Sequence, residues 1–441
     1  MFKAHPLRLV PLGFLAVITV GTLLLMLPIA RTDDSAPLLM PALFTAVSAT
    51  CVTGLSTVDV PSFWTPFGHA VILALIQVGG FGIMTLASLL VLLVRKNLGL
   101  RGSLVAQSET HSLNLGDVRG VLIRVAMIMG ITEAIVAVIL TARFWFSYAY
   151  NPFDALWHGV FHAVSAFNNA GFALYSSSLM EFGQDPWIVV PVCIAVLLGA
   201  IGFPVLMELR RTGLHPRLWT VHTRLTLYGT LFFLAAGGLI ISAFEWGRDA
   251  TMGPLSVADK LLMAFAATVF PRTAGFNTLD YSAASPDTLL VTDILMFIGG
   301  GSAGTAGGIK ITTFLVLAFA IWNEVRGHDH VTIGHRTISS SVQRQALSVA
   351  LLGVAMVVLA TLALLRLTEH SLDKVLFEAV SAFATVGLST GITPSLADPA
   401  QLVVILLMFL GRVGTITVAS ALALTARPRL YALPEERPVI G

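Results

Sequence analysis

The residues of clearest chemical promise in this chain are four glycines, Gly54, Gly171, Gly275 and Gly387. Each closes a short stretch of similar sequence: LFTAVSATCVTGL (43–55), VFHAVSAFNNAGF (160–172), AFAATVFPRTAGF (264–276) and LFEAVSAFATVGL (376–388). Pointing consecutive backbone carbonyls at one axis requires unusual backbone angles, positive φ among them, which glycine adopts without a Cβ penalty. A ring of such carbonyls can replace the water around an ion. One glycine per stretch, four times over, is what a fourfold carbonyl ring needs. The competing reading is that these glycines only let helices pack closely, as they commonly do in membranes. That reading does not account for the short helix expected before each one.

The four stretches are copies of one unit. Ten residues before each glycine stands a phenylalanine (Phe44, Phe161, Phe265, Phe377), and eight before it an alanine (Ala46, Ala163, Ala267, Ala379). The glycines lie 117, 104 and 112 residues apart. Three aligned columns at a near-constant period mark an internal repeat.

The elements that must position these glycines follow from hydropathy. Long apolar runs lie at about 9–30, 67–94, 120–146, 187–207, 225–244, 288–322, 346–367 and 400–424, giving eight candidate transmembrane segments. Between the members of each pair sits a shorter apolar stretch, at 38–49, 153–167, 257–269 and 373–383. These are too short to span and too apolar for a solvated loop, so a re-entrant pore helix fits. The expected fold is an all-α integral membrane protein. It has four tandem membrane helix–pore helix–membrane helix repeats around a central pore, with eight transmembrane helices and four re-entrant loops. The repeats cover 8–94, 117–210, 222–323 and 345–425, and a cytoplasmic tail occupies 426–441. Each repeat contains an even number of crossings, so all four share one orientation.

Composition agrees. Of 441 residues, 56% are hydrophobic and 11% charged, against about 25% charged in a soluble domain. The net charge of +2 offers no basic field for nucleic acid. Cys51 and Cys193 suggest neither a disulfide framework nor a zinc site. The apolar stretch Leu9–Ala30 is long enough to span a bilayer and no A-x-A cleavage site follows it, so it reads as a retained first helix. With the N-terminus inside, 17 Lys and Arg fall on the cytoplasmic side and 7 outside, which places both termini inside the cell membrane. The outer side is rich in acids, and an acidic vestibule concentrates cations.

Other residues stand out. The run GGGSAGTAGGIK (299–310) interrupts the second helix of repeat three. Its apolar arms, 287–298 and 311–322, each reach only ~18 Å against a bilayer core of ~30 Å. The run must therefore sit at membrane depth, facing protein or a wet cavity. A phosphate-binding loop is disfavoured, because Ile309 separates Gly308 from Lys310 and apolar arms flank the run. Arg412 lies mid-helix, where an arginine costs about 2.5–3.5 kcal/mol, so it should face a pore or a partner such as Glu133 or Asp293. Lys310 either pairs or snorkels. His158 and His162 stand at i, i+4, a spacing that can bind zinc, with no third ligand evident. The second helices carry further glycines, Gly79, Gly80, Gly82, Gly199, Gly202, Gly411 and Gly414, read as close packing in preference to hinges.

The four glycine stretches and the 299–310 run resemble the Trk/Ktr/HKT superfamily of potassium transporters, in particular the membrane subunits of the Ktr type. The resemblance covers nearly the whole chain. It implies potassium uptake by channel-like conduction, with K+ held at four filters and no enzymatic activity. By this likeness the filters comprise Cys51, Val52, Thr53 and Gly54; Asn168, Asn169, Ala170 and Gly171; Arg272, Thr273, Ala274 and Gly275; and Ala384, Thr385, Val386 and Gly387. Family members with glycine at all four positions favour potassium, whereas serine in the first repeat accompanies sodium permeation. Only Thr385-Val386-Gly387 matches the start of the potassium-channel signature, so fewer ion sites are expected. The resemblance makes 299–310 an intramembrane gating loop, with Gly299, Gly300, Gly301, Ser302, Gly304, Thr305, Gly307, Gly308 and Lys310 as the gate beside Arg412. It implies a membrane homodimer in the lipid bilayer, a docked cytosolic ring of nucleotide-binding regulatory subunits, and Na+ as a possible activator. An alternating-access carrier is the main rival reading. A membrane enzyme is the other, but no convergent set of titratable residues is evident.

Overall fold

The computed structural model describes residues 6–32, 38–97, 118–328, 330–334 and 336–414. The expected C-terminal tail and the end of the fourth repeat lie outside them. Helices start where a short polar side chain precedes proline or caps a free amide. Asn151, Asp185, Thr220, Ser256 and Ser285 each accept a backbone N–H from the first turn they open, and Pro152, Pro186 and Pro286 stand at the first helical position. In chain order the helices are α1 (Pro6–Leu25), α2 (Leu39–Thr50), α3 (Pro66–Asn97), α4 (Val118–Tyr148), α5 (Pro152–Phe167), α6 (Pro186–Ile201), α7 (Phe203–Thr212), α8 (Val221–Glu245), α9 (Val257–Val269), α10 (Pro286–Phe297), α11 (Ile311–Val325), α12 (Ser340–Leu367), α13 (Leu372–Phe383) and α14 (Asp398–Phe409). A turn of π-helix at Leu410–Gly414 continues α14.

The short helices α2, α5, α9 and α13 are the interior. Phe44, Phe161 and Phe377 have no exposed surface, and Ala46, Ala163, Ala267 and Ala379 show at most 1%. Phe265 departs from its column and is 36% exposed. The first helices of repeats two to four, α4, α8 and α12, turn apolar faces outward: Val138, Leu239 and Leu359 are each about two-thirds or more exposed. Apolar faces of this size suit lipid and not water. The chain is a mostly helical, multi-pass membrane protein.

Three features differ from expectation. Among the described residues, four helices are long and apolar enough to cross a membrane, or five if the bent pair α6–α7 counts as one, where eight crossings are expected. The others are short or interrupted: α10 and α11 have 12 and 15 residues, and α14 runs only 12 before its π turn. Next, the all-α expectation misses a hairpin of two-residue strands, Thr332–Ile333 with Arg336–Thr337, in the connection between repeats three and four. Finally, the run 187–207 is not one helix. α6 and α7 meet at 97° around Gly202, whose φ of +97° cannot continue a helix. Pro204, in the first turn of α7, is the sequence signal for this break.

The close-packing reading separates the second-helix glycines. A Cβ on Gly79, Gly199 or Gly411 would lie 2.1, 1.9 or 1.9 Å from the carbonyl oxygen of Thr50, Phe167 or Phe383. These are the last residues of α2, α5 and α13, so three second helices each press one glycine against the end of their own short helix. Gly80 is as tight, against Asn168. Among the described residues Gly82 meets nothing within 4 Å and Gly414 only Leu410 at 4.0 Å. We predict that Gly199→Ala lowers stability by about 1–3 kcal/mol, whereas Gly82→Ala stays within about 0.5 kcal/mol of the parent. Thermal unfolding of the detergent-purified variants checks this, and equal midpoints would contradict it.

Candidate ion-binding site

Each short helix ends in a tight turn that leads into its glycine. The Ser48 carbonyl accepts the Thr53 N–H at 2.7 Å, and the Ser48 hydroxyl accepts the Gly54 N–H at 3.0 Å. Ser381 does the same for Val386 and Gly387, at 2.8 and 3.1 Å. Ser165 accepts the Ala170 N–H at 2.8 Å, and its hydroxyl donates to the Phe172 carbonyl at 2.8 Å. In repeat three Val269 stands in the serine's place, and Ala274 and Gly275 both donate to the Phe270 carbonyl, at 2.9 and 3.4 Å. This serine column, six residues before the glycine, is visible in the AVSA motif but escapes an argument built on glycine, phenylalanine and alanine.

The amides thus point back toward the helix end. Among the described residues no hydrogen bond engages the carbonyls of Thr53, Ala170, Ala274 or Val386. The glycines have φ of +98°, +69°, +72° and +99°. The residues two positions earlier share the left-handed region: Val52 at +56°, Asn169 at +59°, Thr273 at +70° and Thr385 at +49°. Three of these are β-branched, for which positive φ is a genuine outlier. Such strain persists only where surrounding structure over-determines it, and it clusters at functional positions. No sequence signal marks it.

The four segments close on one another. A Cβ on Gly54 would lie 2.4 Å from the Ala170 carbonyl oxygen, one on Gly171 2.7 Å from Gly275 Cα, one on Gly275 2.4 Å from the Val386 oxygen, and one on Gly387 2.1 Å from the Thr53 oxygen. The order 54, 171, 275, 387 and back to 54 is a closed ring. At each step the neighbour leaves no room for a side chain. Cys51, Val52 and Thr53, Asn168 to Ala170, Arg272 to Ala274, and Ala384 to Val386 are all buried around it. The Arg272 side chain leaves the ring: its guanidinium donates to the Thr230 carbonyl at 3.2 Å and lies over the Phe233 ring, both on α8. Arg272 therefore offers the ring only its backbone, as a filter built of carbonyls requires.

The run 299–310 is a loop between α10 and α11, pinned at its base by Gly299 N–H to the Ile309 carbonyl (2.9 Å) and Ile309 N–H to the Phe297 carbonyl (3.1 Å). Thr305 Oγ1 lies 3.2 Å from the Phe167 carbonyl and 2.9 Å from Asn169 Oδ1. Gly307 N–H donates to Thr273 Oγ1 at 3.2 Å, and a Cβ on Gly307 would fall 2.1 Å from Thr385 Oγ1. The loop thus touches the segments of repeats two, three and four. It is also tied to the α6–α7 break: Gly301 and Thr305 amides donate to the Ala200 and Gly199 carbonyls, and the Phe203 amide to Ala303 (2.8, 3.1 and 3.2 Å). Gly300, Gly304 and Gly308 are buried in the same loop, and Ser302 pairs with Thr312 at 3.1 Å. Among the described residues Lys310 reaches no acid, and it does not lie open; its ammonium donates to the Ala306 carbonyl of its own loop.

Arg412 sits in the π turn, 2% exposed, with Nη1 3.4 Å from Thr385 Oγ1. Its Nε and Nη2 have no partner among the described residues, and it pairs with neither Glu133 nor Asp293. The histidines are engaged. The His162 Nε2 accepts the Leu174 N–H at 3.3 Å, which leaves Nδ1 as donor to the His158 carbonyl at 2.7 Å; His158 Nδ1 meets the Tyr175 hydroxyl at 2.9 Å. Among the described residues no three His, Cys, Asp or Glu side chains could hold a metal. His162 and Glu378 occupy the same register, nine residues before the glycine. Each fastens its helix to the segment beyond the glycine, His162 through Leu174 and Glu378 through Thr393 (2.7 Å) and Ser389.

A closed order of four glycine segments buried among apolar helices fits a membrane ion-transport protein. The chain belongs to the TrkH family of cation transport proteins, whose family model matches residues 10–428. It is 38% identical over 426 residues to the Ktr system potassium uptake protein B of Bacillus subtilis, covering 96% of this chain and 94% of the relative. It is 32% identical to the potassium/sodium uptake protein NtpJ of Enterococcus hirae over 449 residues, covering 100% of this chain and 98% of that one. The crystal structure of the potassium transporter TrkH from Vibrio parahaemolyticus shares its fold, with a TM-score of 0.73 at 18% identity over 95% of this chain and 84% of that one.

Proposed function

We propose that this protein takes up potassium through the glycine ring, by channel-like conduction down the electrochemical gradient. The observation that carries the proposal is the closed order of Gly54, Gly171, Gly275 and Gly387, with unengaged carbonyls one residue before each. Carbonyls of this kind replace the hydration shell of a bare monovalent cation. The architecture we assign is four parallel repeats around one axis, with α2, α5, α9 and α13 as pore helices. Potassium as the cargo is supported by the names of the relatives at 38% and 32% identity, and the second name also includes sodium.

The 299–310 loop is the gate in this proposal. It lies against three of the four segments, and Arg412 adds a fixed positive charge at Thr385. Opening must break the Thr305 contacts with Phe167 and Asn169. Thr305→Val keeps the shape and removes the hydroxyl. A hydrogen bond contributes about 1 kcal/mol net, so potassium flux should rise about fivefold; an unchanged flux would remove Thr305 from the gate. The name Ktr system supports partnership with further components of such a system; a cytosolic nucleotide-binding ring, a membrane homodimer and cytoplasmic termini belong to the proposal through the family resemblance.

One observation favours the carrier reading. The α6–α7 break and the π turn after α14 fall at matching places in repeats two and four, and carriers often break helices at corresponding positions. Currents through single purified proteins in planar bilayers separate the two. Conduction predicts resolvable unitary steps that reverse at the potassium equilibrium potential without any energy source. Exchange-stimulated flux with no unitary steps would support the carrier.

A further inference from the structure

The second glycine segment begins with two asparagines that face opposite ways. Asn169 reaches sideways: its Nδ2 donates to the Arg272 carbonyl at 3.3 Å and its Oδ1 meets Thr305. Asn168 reaches backward, away from the ring, to the seam between α3 and α4. Its Nδ2 lies 3.1 Å from Glu133 Oε1, 3.0 Å from Gln77 Oε1 and 2.9 Å from the Val164 carbonyl. Gln77 Nε2 donates to Glu133 Oε2 at 3.1 Å. Both carboxylate oxygens are therefore engaged, one by each amide.

The three side chains come from three elements and lie mostly inside the protein: Asn168 has no exposed surface, Glu133 has 8%, and Gln77 is half-buried. Gly80 makes the room, since a Cβ there would lie 1.8 Å from Asn168 Oδ1. The matching positions in the other segments hold Cys51, Arg272 and Ala384, and among the described residues none of them bonds to a carboxylate. An acid at membrane depth is costly and marks function by default, with its partner named. Here the partner is the residue next to a strained turn. Asn169 is left-handed at +59°, and that turn aims the carbonyls ahead of Gly171.

We infer that Glu133 is a positioning residue for ion selectivity: with Gln77 it holds Asn168, and through Asn168 the turn that sets the second quarter of the ring. The inference rests on the ring being the selectivity filter. A role confined to holding α3 against α4 would change stability and yield but not the ratio of sodium to potassium permeability.

The test is the bi-ionic reversal potential of purified protein in bilayers, potassium on one side and sodium on the other. Glu133→Gln keeps an oxygen for Asn168 and leaves Gln77 Oε1 as its second acceptor; only Gln77 Nε2 loses its acceptor, so the ratio should stay within about twofold of the parent. Glu133→Ala and Gln77→Ala each leave Asn168 short of a partner, and relative sodium permeability should rise about fivefold or more. If Glu133→Ala does not fold, Gln77→Ala decides. A ratio unchanged in these variants while Gly54→Ser shifts it overturns the positioning role alone. A ratio unchanged in Gly54→Ser as well overturns the filter reading beneath it. Glu133→Gln shifting the ratio as far as Glu133→Ala overturns positioning in favour of charge.

Discussion

Gly54→Ser is expected to abolish most of the discrimination against sodium while leaving the protein in the membrane. The added Cβ meets two obstacles at once. It would lie 2.4 Å from the Ala170 carbonyl oxygen and 3.1 Å from Gly171 Cα, both backbone atoms that cannot swing aside. The φ of +98° also lies outside the ordinary range of an L residue, which costs roughly 1–2 kcal/mol. The first segment must shift away from the second or abandon its angles, and either response moves the Thr53 and Ala170 carbonyls relative to one another. A difference of about 1.4 kcal/mol between the two ions is tenfold in preference. Relative sodium permeability should therefore rise about tenfold or more, read from the reversal potential in mixed salts. A ratio within about twofold of the parent would remove Gly54 from the selectivity ring.

Arg412→Ala is expected to raise potassium flux. The guanidinium is buried, has two nitrogens without hydrogen-bond partners among the described residues, and its hydrogen bond there goes to the side chain of Thr385, two residues before Gly387. A unit charge lying ~8 Å from a passing cation would, at an effective dielectric of about 20, oppose it by about 2 kcal/mol. Removing that charge should speed passage about thirtyfold. Arg412→Lys keeps the charge and should stay near the parent. Equal flux in Arg412→Ala and the parent, measured per protein in liposomes, would reduce Arg412 to a structural role.

Much of this was legible in the sequence because repetition magnifies weak signals. One glycine after one apolar stretch means little. Four of them, with alanines in step, located helices that lie within two residues of α2, α5, α9 and α13. The loop was legible for a different reason: its arms are too short to span, and the structure does break the helix there, into α10 and α11. Side-chain directions were not legible. Arg272 stands inside a glycine segment in sequence yet turns its charge to α8, while Arg412, far from any segment in sequence, reaches Thr385. The left-handed turns at Val52, Thr273 and Thr385 contradict local preference and exist only because the neighbouring segments enforce them. The break at Gly202 hid inside an unbroken apolar run, where hydropathy reports burial and not direction. Phe265 keeps its column in sequence but not its burial, and nothing in the structure explains why.

In the proposed mechanism a cation sits on the axis of the four glycines, held by backbone carbonyls. Rubidium, a heavy congener of potassium, can be placed by anomalous scattering from crystals grown in its salts. A peak is expected on the ring axis, within coordination distance of the Thr53, Ala170, Ala274 and Val386 carbonyl oxygens, that weakens when sodium replaces rubidium. Peaks confined to other parts of the protein, with the ring axis empty, would contradict it.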